Sequence, residues 1–387
     1  MSVTTFPRSK SASSYGIVCF SHLRWNFVFQ RPQHLLSRFA KKHEVLFIEE
    51  PVHYDGSGEF VINDTKEGVR VAVPHLPHGI EPADEYALLK TLVTELIGEQ
   101  SFENFVAWYY TPMMLAWSEH LRPLATVYDC MDELSAFKNA PTELQTREAE
   151  LFGLSDLVFT GGRSLYEVKR EQHEAVYCFP SSIDVDHFAR ALDITEDRSD
   201  QQGIPHPRIG FFGVIDERTD IELLRQVAER RPDWQFVMIG PVVKISEDDL
   251  PRHANIHYLG GKSYDELPEY IAGWDAAMMP FAINDSTRFI SPTKTPEYLA
   301  AGRPVISTPI RDVVRPYEEL GLVRIASTAD QFVEAIDQSL NEDSSERRAK
   351  ADEFLSTISW EKTYESMSEL IDDAIAANTE QATGAAV

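Results

Sequence analysis

From one end of the chain to the other, short unbroken apolar runs alternate with segments whose apolar positions recur every three or four residues. Continuous runs of four or five suit strands covered on both faces, and the longer periodic segments suit helices with one buried stripe. Residues 17–20, 45–48, 69–73, 105–109, 126–128, 157–160 and 176–179 read as strands. Residues 32–42, 83–97, 143–152 and 164–171 read as the helices between them. The stretch 180–203 breaks the pattern with polar and charged sequence (DITEDRSDQQG). Alternation resumes at 209–212 and continues through 236–239, 256–259, 276–280, 304–307 and 322–325, with helices over 220–229, 264–272, 296–301 and 329–340. Strand–helix alternation of this kind predicts βαβ units. The expected fold is α/β: two doubly wound parallel-sheet domains in tandem, residues 13–185 and 205–355, joined by a linker at 186–204. A long helical pattern follows, with a break around 356–359, and residues 1–12 and 378–387 are expected to be disordered.

The length of 387 residues agrees with two domains at about 150 residues each. Composition narrows the function. With 36 basic against 62 acidic side chains the net charge is −26, so a phosphate backbone would be repelled over most of the surface and nucleic acid is excluded as a general partner. The three cysteines, Cys19, Cys130 and Cys178, lie far apart in apolar stretches, which fits buried thiols in a reducing cytoplasm. No run approaches the roughly 18 apolar residues that span a bilayer. Neither domain opens with G-x-G-x-x-G; GFFG at 210–213 lacks the spacing, which disfavours a nicotinamide enzyme.

Residues 288–302, RFISPTKTPEYLAAG, run from the end of a strand into a short helix. Unpaired amides at a helix start attract anions, and Lys294 stands just before the first turn. Glu297, one turn on, can accept both hydroxyls of a ribose; equally, it can complement the helix dipole while Lys294 is solvated. Arg218, at the end of the strand that begins GFF, suits a diphosphate through its planar fork, or else pairs with Asp216 or Glu222.

In order, GFFG with Arg218, YLGGKSYDELPEYIAGWDAAMMPF and SPTKTPEYLAAGRPVIST resemble the C-terminal half of GT-B-fold glycosyltransferases, most closely the retaining family 4 group. FSHLRWNFVFQRPQHLLSRFAKKHEVLFIEEP and VYDCMDELSAF resemble a bacterial subgroup of polysaccharide and cell-envelope glycosyltransferases. The resemblance covers residues 15–375 and implies a nucleotide-sugar donor, UDP-linked, in the second domain. It implies a saccharide or lipid-linked saccharide acceptor in the first. SWEKTYESM resembles the helix that crosses back to the first domain, here 356–377. Glu297 matches the second glutamate of the family's E-x7-E motif, and Phe289 stands at the first. The donor residues implied are Arg218, Ser291, Thr293, Lys294, Thr295 and Glu297, with Arg218 and Lys294 stabilising the leaving diphosphate in place of a metal; no cofactor is implied. Asp184–Val185–Asp186 spells D-x-D, but its context matches the entry to the GT-B hinge.

In the first domain, His22, Arg24 and Trp25 follow the first strand, and Asp129 and Asp132 end a later one. They read as an acceptor site, with Trp25 on a sugar face and the carboxylates on hydroxyls. Alternatively, Asp129 is catalytic and orients His22 as a general base, or both cap loops. The helix 31–43 is amphipathic and basic, in a 50-residue stretch with 7 basic and 3 acidic side chains. It reads foremost as an ordinary first helix with a solvated face, and otherwise as a peripheral contact with the cytoplasmic side of a membrane. Two other classes share this pattern: a GT-B sugar-nucleotide epimerase, which needs no acceptor, and a non-catalytic partner subunit, suggested by Phe289.

Overall fold

The structure, a computed structural model, describes residues 15–100 and 102–384. The expected disordered segment 1–12 and residues 385–387 lie outside the described residues. The first domain is built on β1 (Gly16–Ser21), β2 (Val45–Glu49), β3 (Val52–Tyr54), β4 (Glu59–Asp64), β5 (Arg70–Pro77), β6 (Phe105–Tyr109), β7 (Ala125–Cys130), β8 (Leu157–Thr160) and β9 (Val176–Cys178). They form one sheet in the order β3-β5-β2-β1-β6-β7-β8-β9, parallel except that β4 pairs antiparallel with β5. The second domain carries β10 (Arg208–Phe212), β11 (Gln235–Ile239), β12 (Ile256–Tyr258), β13 (Ala276–Met279), β14 (Val305–Ser307) and β15 (Val323–Ile325). Its order is β12-β11-β10-β13-β14-β15, all parallel. β1, β2, β6, β8, β10 and β13 are buried along their whole length, which is why they read as unbroken apolar runs. β3 and β4 are half exposed and carry charged residues, and no apolar run announced them.

In a doubly wound sheet, ligands sit beyond the carboxyl ends of the strands where the order reverses. Those points lie between β1 and β6 in the first domain and between β10 and β13 in the second. The loops after these strands therefore carry whatever chemistry the fold presents.

The expected linker at 186–204 is not a free connector. Phe188, Ala191 and Ile204 are buried in the same cluster as Trp274 and Tyr298 of the second domain, and Trp274 Nε1 donates to Gln201 Oε1 at 3.0 Å. Its charged composition hid three apolar residues placed to cover that core. Asp184, the first residue of the D-x-D, caps the helix Val185–Ala189 by accepting the amide of His187.

After the helix Ser345–Leu355, whose Ala351 and Leu355 pack on the second domain, the chain crosses over. Along the helix Trp360–Gly384, Trp360, Tyr364, Met367 and Ile371 join the first-domain cluster of Ile17, Phe39 and Trp108. The helix continues past 377, where disorder was expected. Asn378 Nδ2 donates to Leu124 O and to Asp156 Oδ1, both at 3.0 Å, and no proline or glycine interrupts the chain before Gly384. This crossing helix also covers the first helix, Arg31–Phe39. Arg38 pairs with Glu361 at 3.1 Å and Lys42 lies over the Tyr364 ring. The basic segment is thus the ordinary first helix of its domain, with Lys41 and Lys42 in solvent. No helix among the described residues is long and apolar enough to cross a membrane.

Arg31 opens that first helix and is buried. Its Nε lies 3.1 and 3.0 Å from the two carboxylate oxygens of Asp129 on β7, and its Nη1 donates to Phe179 O at 2.8 Å. Burial pushes the Asp129 carboxyl above its ordinary range, and the guanidinium pulls it back. Arg31 keeps its proton in any protein setting, so a neutral Asp129 would leave a buried cation uncompensated; the pair is ionised. Arg31→Ala should therefore cost about 3–5 kcal/mol in urea unfolding by stranding Asp129. Adding Asp129→Asn should recover much of that loss.

Candidate active site

The carboxyl ends of the two sheets face each other across a cleft, closed in this structure to a cavity of 120 Å³. Arg31, Asp132 and Gly161 line it from the first domain, and Arg218, Ser291 and Lys294 from the second. The helix Lys294–Ala300 carries Pro296 in its first turn, where a missing amide costs nothing. Lys294 runs from this helix across the end of β10. A Cβ on Gly213 would lie 2.2 Å from Lys294 Cε, and Gly213 has φ of +137°; only glycine serves there. The ammonium ends between the Phe211 and Phe281 rings, 5.7 and 5.8 Å from their centroids, at the point where the strand order reverses.

Lys294 makes no ion pair or hydrogen bond among the described residues. Burial, helped by nearby Arg218, lowers its pKa to about 8. Glu297 is buried, and its Oε2 has no hydrogen-bond partner. Burial raises its pKa to about 7, against the pull of Lys294 and the Thr293 hydroxyl. A native fold rarely keeps an unpaired cation beside a buried carboxylate oxygen without a partner unless they have a use. Together they offer a cation and a two-oxygen acceptor about one helical turn apart.

Arg218 is committed in part. Its Nε sits 3.0 and 3.1 Å from the Asp216 oxygens and its Nη2 2.7 Å from Oδ2. The local salt bridge therefore forms, yet the side chain still lines the cleft opposite Asp132, with the Phe137 ring 5.7 Å away. Burial pushes the Asp132 carboxyl up to about 6, while Arg218 and Arg31 pull it down. A buried network fixes the loop that carries Asp132. Lys169 Nζ bonds both Glu148 oxygens at 2.8 Å and lies 2.9 Å from Glu133.

Several expected site residues are elsewhere. Thr295 is fully buried, with its hydroxyl on Met279 Sδ at 3.5 Å, because its position on the helix faces the sheet. Asp129 is held by Arg31, and no hydrogen bond joins it to His22 among the described residues, so the dyad is not formed in this structure. His22 packs against the Tyr110 main chain, and burial takes its pKa down to about 4, where it holds no proton at neutral pH. Trp25 is core rather than sugar platform: its ring packs on Phe47, its amide donates to Glu49 and its carbonyl accepts from Gln33. Arg24 is taken up by Glu49 and the carbonyls of Glu50 and Pro51. Arg24 and Trp25 border a separate cavity of 510 Å³ beside Tyr264, away from Lys294. Of the acceptor group, only Asp132 reaches the cleft. Ser291 is in the cleft through its backbone, accepting from Ser181 Oγ at 2.6 Å. Phe289 packs on the first-domain cluster, with the Arg288 guanidinium 5.1 Å from its ring. Arg31, Asp216 and Gly213 were missed as site residues; the second glycine of GFFG was the available signal for the last.

Residues 206–342 match the family described as Glycosyl transferases group 1. The match covers most of the second domain. It contains Arg218, Ser291, Lys294 and Glu297, so the unpartnered charges lie inside the matched region. A Bacillus subtilis (strain 168) protein named as a teichuronic acid biosynthesis glycosyltransferase, TuaH, is 27% identical over 222 residues. The match takes in 53% of this chain and 56% of that relative's length. Among solved structures, sucrose-phosphate synthase from Thermosynechococcus elongatus superposes with a TM-score of 0.67 at 13% identity, over 94% of this chain and 100% of its own. Anabaena Alr3699/HepE in complex with UDP-glucose gives 0.66 at 13%, over 92% and 99%. The E. coli protein titled trehalose-6-phosphate, bound with UDP-2-fluoro glucose, gives 0.68 at 11%, over 93% and 99%. At such identities the likeness is one of fold, and the fold is GT-B.

Gly213 tests how the second domain places its lysine. Gly213→Ala should destabilise by about 1–3 kcal/mol, since it meets both a forbidden φ and the lysine chain. In a Lys294→Ala background the steric part should vanish, leaving a smaller loss in thermal unfolding.

Proposed function

We propose that this protein is a glycosyltransferase that moves a sugar from a UDP-sugar to a saccharide or lipid-linked saccharide acceptor, in polysaccharide or cell-envelope synthesis. The observation that carries this reading is Lys294, half-buried with no ion pair or hydrogen bond among the described residues, beside the buried Glu297, whose Oε2 has no partner, both within the region that matches the group 1 glycosyl transferases. Glu297 receives the ribose hydroxyls. Lys294 and the exposed edge of Arg218 meet the diphosphate and stabilise its charge as it leaves, the part that a resident metal would otherwise play. Asp132, on the facing loop, accepts an acceptor hydroxyl. The bond between the anomeric carbon and the phosphate oxygen breaks, and the acceptor oxygen forms its bond on the same face. A leaving-group phosphate oxygen takes the hydroxyl proton. Retention fits this course, because the only histidine near the expected base position, His22, is held away from Asp129. The relative named for teichuronic acid biosynthesis and the UDP-sugar bound in two structures of the same fold support the choice of donor and of a polymer product.

A panel of nucleotides and nucleotide sugars tests the donor site by calorimetry. Lys294→Ala and Glu297→Ala should each weaken UDP-sugar binding about 10- to 150-fold, the value of a charged hydrogen bond worth about 1.5–3 kcal/mol. Absence of any nucleotide binding in the intact protein would instead favour the partner-subunit reading that Phe289 raises.

The pH dependence has a definite sign. Only protonated Lys294 attracts a diphosphate, and in the free protein it loses its proton near pH 8. UDP affinity should therefore hold below pH 8 and fall above it, and Lys294→Arg should remove that fall.

A further inference from the structure

A cavity of 610 Å³ adjoins the cleft around Lys294. Ser181 and Ser291 line both, and beyond it Arg163, Asp312 and Arg315 also border an outer groove of 240 Å³. The three spaces thus lie side by side through shared lining residues, at the ends of β8, β9 and β14 and beside the start of the crossing helix.

The lining is of one chemical kind. Phe179, Tyr317 and Phe354 supply apolar and aromatic faces, and Ser181, Ser182, Thr363 and Ser366 supply hydroxyls. Two buried polar atoms there have no partner: Ser182 Oγ and Asp312 Oδ2, in side chains that are 3% and 7% exposed. The other Asp312 oxygen accepts the Ser164 amide at 3.0 Å, so the carboxylate is fixed at the start of the helix Arg163–Lys169. Aromatic faces with hydroxyls and a fixed carboxylate acceptor match the alternating C–H faces and O–H edges of a pyranose. A phosphate would be repelled by Asp312, and an acyl chain would leave the polar atoms unmet. At the rim stand Arg163, Arg315 and Lys362, three cations on a chain of net charge −26. Arg163 and Arg315 are 72% and 65% exposed and are held only by solvent-side glutamates. The volume accommodates on the order of two or three sugar units.

We infer that this cavity is an oligosaccharide subsite that holds an acidic acceptor chain behind its reacting end. The placement relative to the donor rests on the glycosyltransferase reading above; the saccharide site itself is tested apart from it. The intact protein is titrated with a tetrasaccharide of alternating glucuronate and N-acetylglucosamine, with the neutral chitotetraose, and with UDP. The acidic tetrasaccharide should bind, and Ser366→Trp, which fills the cavity from the outer helix, should weaken it at least tenfold, a loss of about 1.4 kcal/mol. Arg163→Ala with Arg315→Ala should weaken the acidic probe and leave chitotetraose unchanged. Neither variant should alter UDP affinity or the thermal midpoint. Undiminished tetrasaccharide binding by Ser366→Trp would overturn the assignment. So would chitotetraose binding as tightly as the acidic probe, or no tetrasaccharide binding by protein that still binds UDP. Tetrasaccharide binding without UDP binding would uphold this site and remove the donor reading instead.

Discussion

Taking charge out of water is the constraint on which the cleft rests. Each buried ion costs several kcal/mol unless something returns that energy. In the first domain the cost is met from within: Arg31 against Asp129, and Lys169 between Glu133 and Glu148. These pairs stand at the carboxyl ends of strands and hold the loops that face the second domain. Across the cleft the matter is different. Lys294 is half-buried with no ion pair or hydrogen bond among the described residues, Glu297 is buried with its Oε2 unpartnered, and the fold carries that cost in the free state. A ligand with a diphosphate and a vicinal diol removes both debts in one binding event. The buried cations of the first domain, Arg31 and Lys169, are thus paired, whereas Lys294 in the second is not.

This division also explains what the sequence could disclose. The strands of both sheets were legible because parallel strands are covered on both faces, so that burial is written as an uninterrupted apolar run. β3 and β4 were not, because an added antiparallel edge has one wet face and charges along it. Lys294 and Glu297 were legible as a pair because the geometry relating them is local, three residues on one helical turn. Arg218 was ambiguous for the same local reason: Asp216, two residues away, could claim it, and does. Asp129, Trp25 and His22 were misjudged because their partners are distant in sequence. Asp129 answers to Arg31, 98 residues earlier, and Trp25 to Glu49, 24 residues later. Thr295 shares the motif of Lys294 and was carried along with it, although the next position on a helix points about 100° away. The basic stripe of the first helix invited a solvent or membrane reading because the helix that covers it begins more than 300 residues downstream.

The crossing helix does more than cover. Trp360 stacks on His34 of the first helix at 4.6 Å, and its amide donates to Ile183 O at the junction of the domains. Tyr264 of the second domain lies between the Phe29 and His187 rings at the same place. The joint is thus an aromatic stack, buried at Trp360 and His34 and partly exposed at Phe29, Tyr264 and His187.

Away from that joint, the direct bonds between the domains are of a weaker sort. Ser181 to Ser291, Lys138 to Glu217 and Arg311 to Glu167 are partly or wholly exposed, and exposed pairs contribute at most about 1 kcal/mol each. Asp312 to the Ser164 amide is the buried exception. A strong joint with weak bonds beyond it lets the cleft open at little cost while the joint stays intact. The 120 Å³ around Lys294 is too small for a nucleotide sugar, since ligand sites of that kind run to about 300 Å³ or more. On the proposed reading, donor entry requires the weak bonds to part, and contacts from the donor to Lys294 would help to draw them together again.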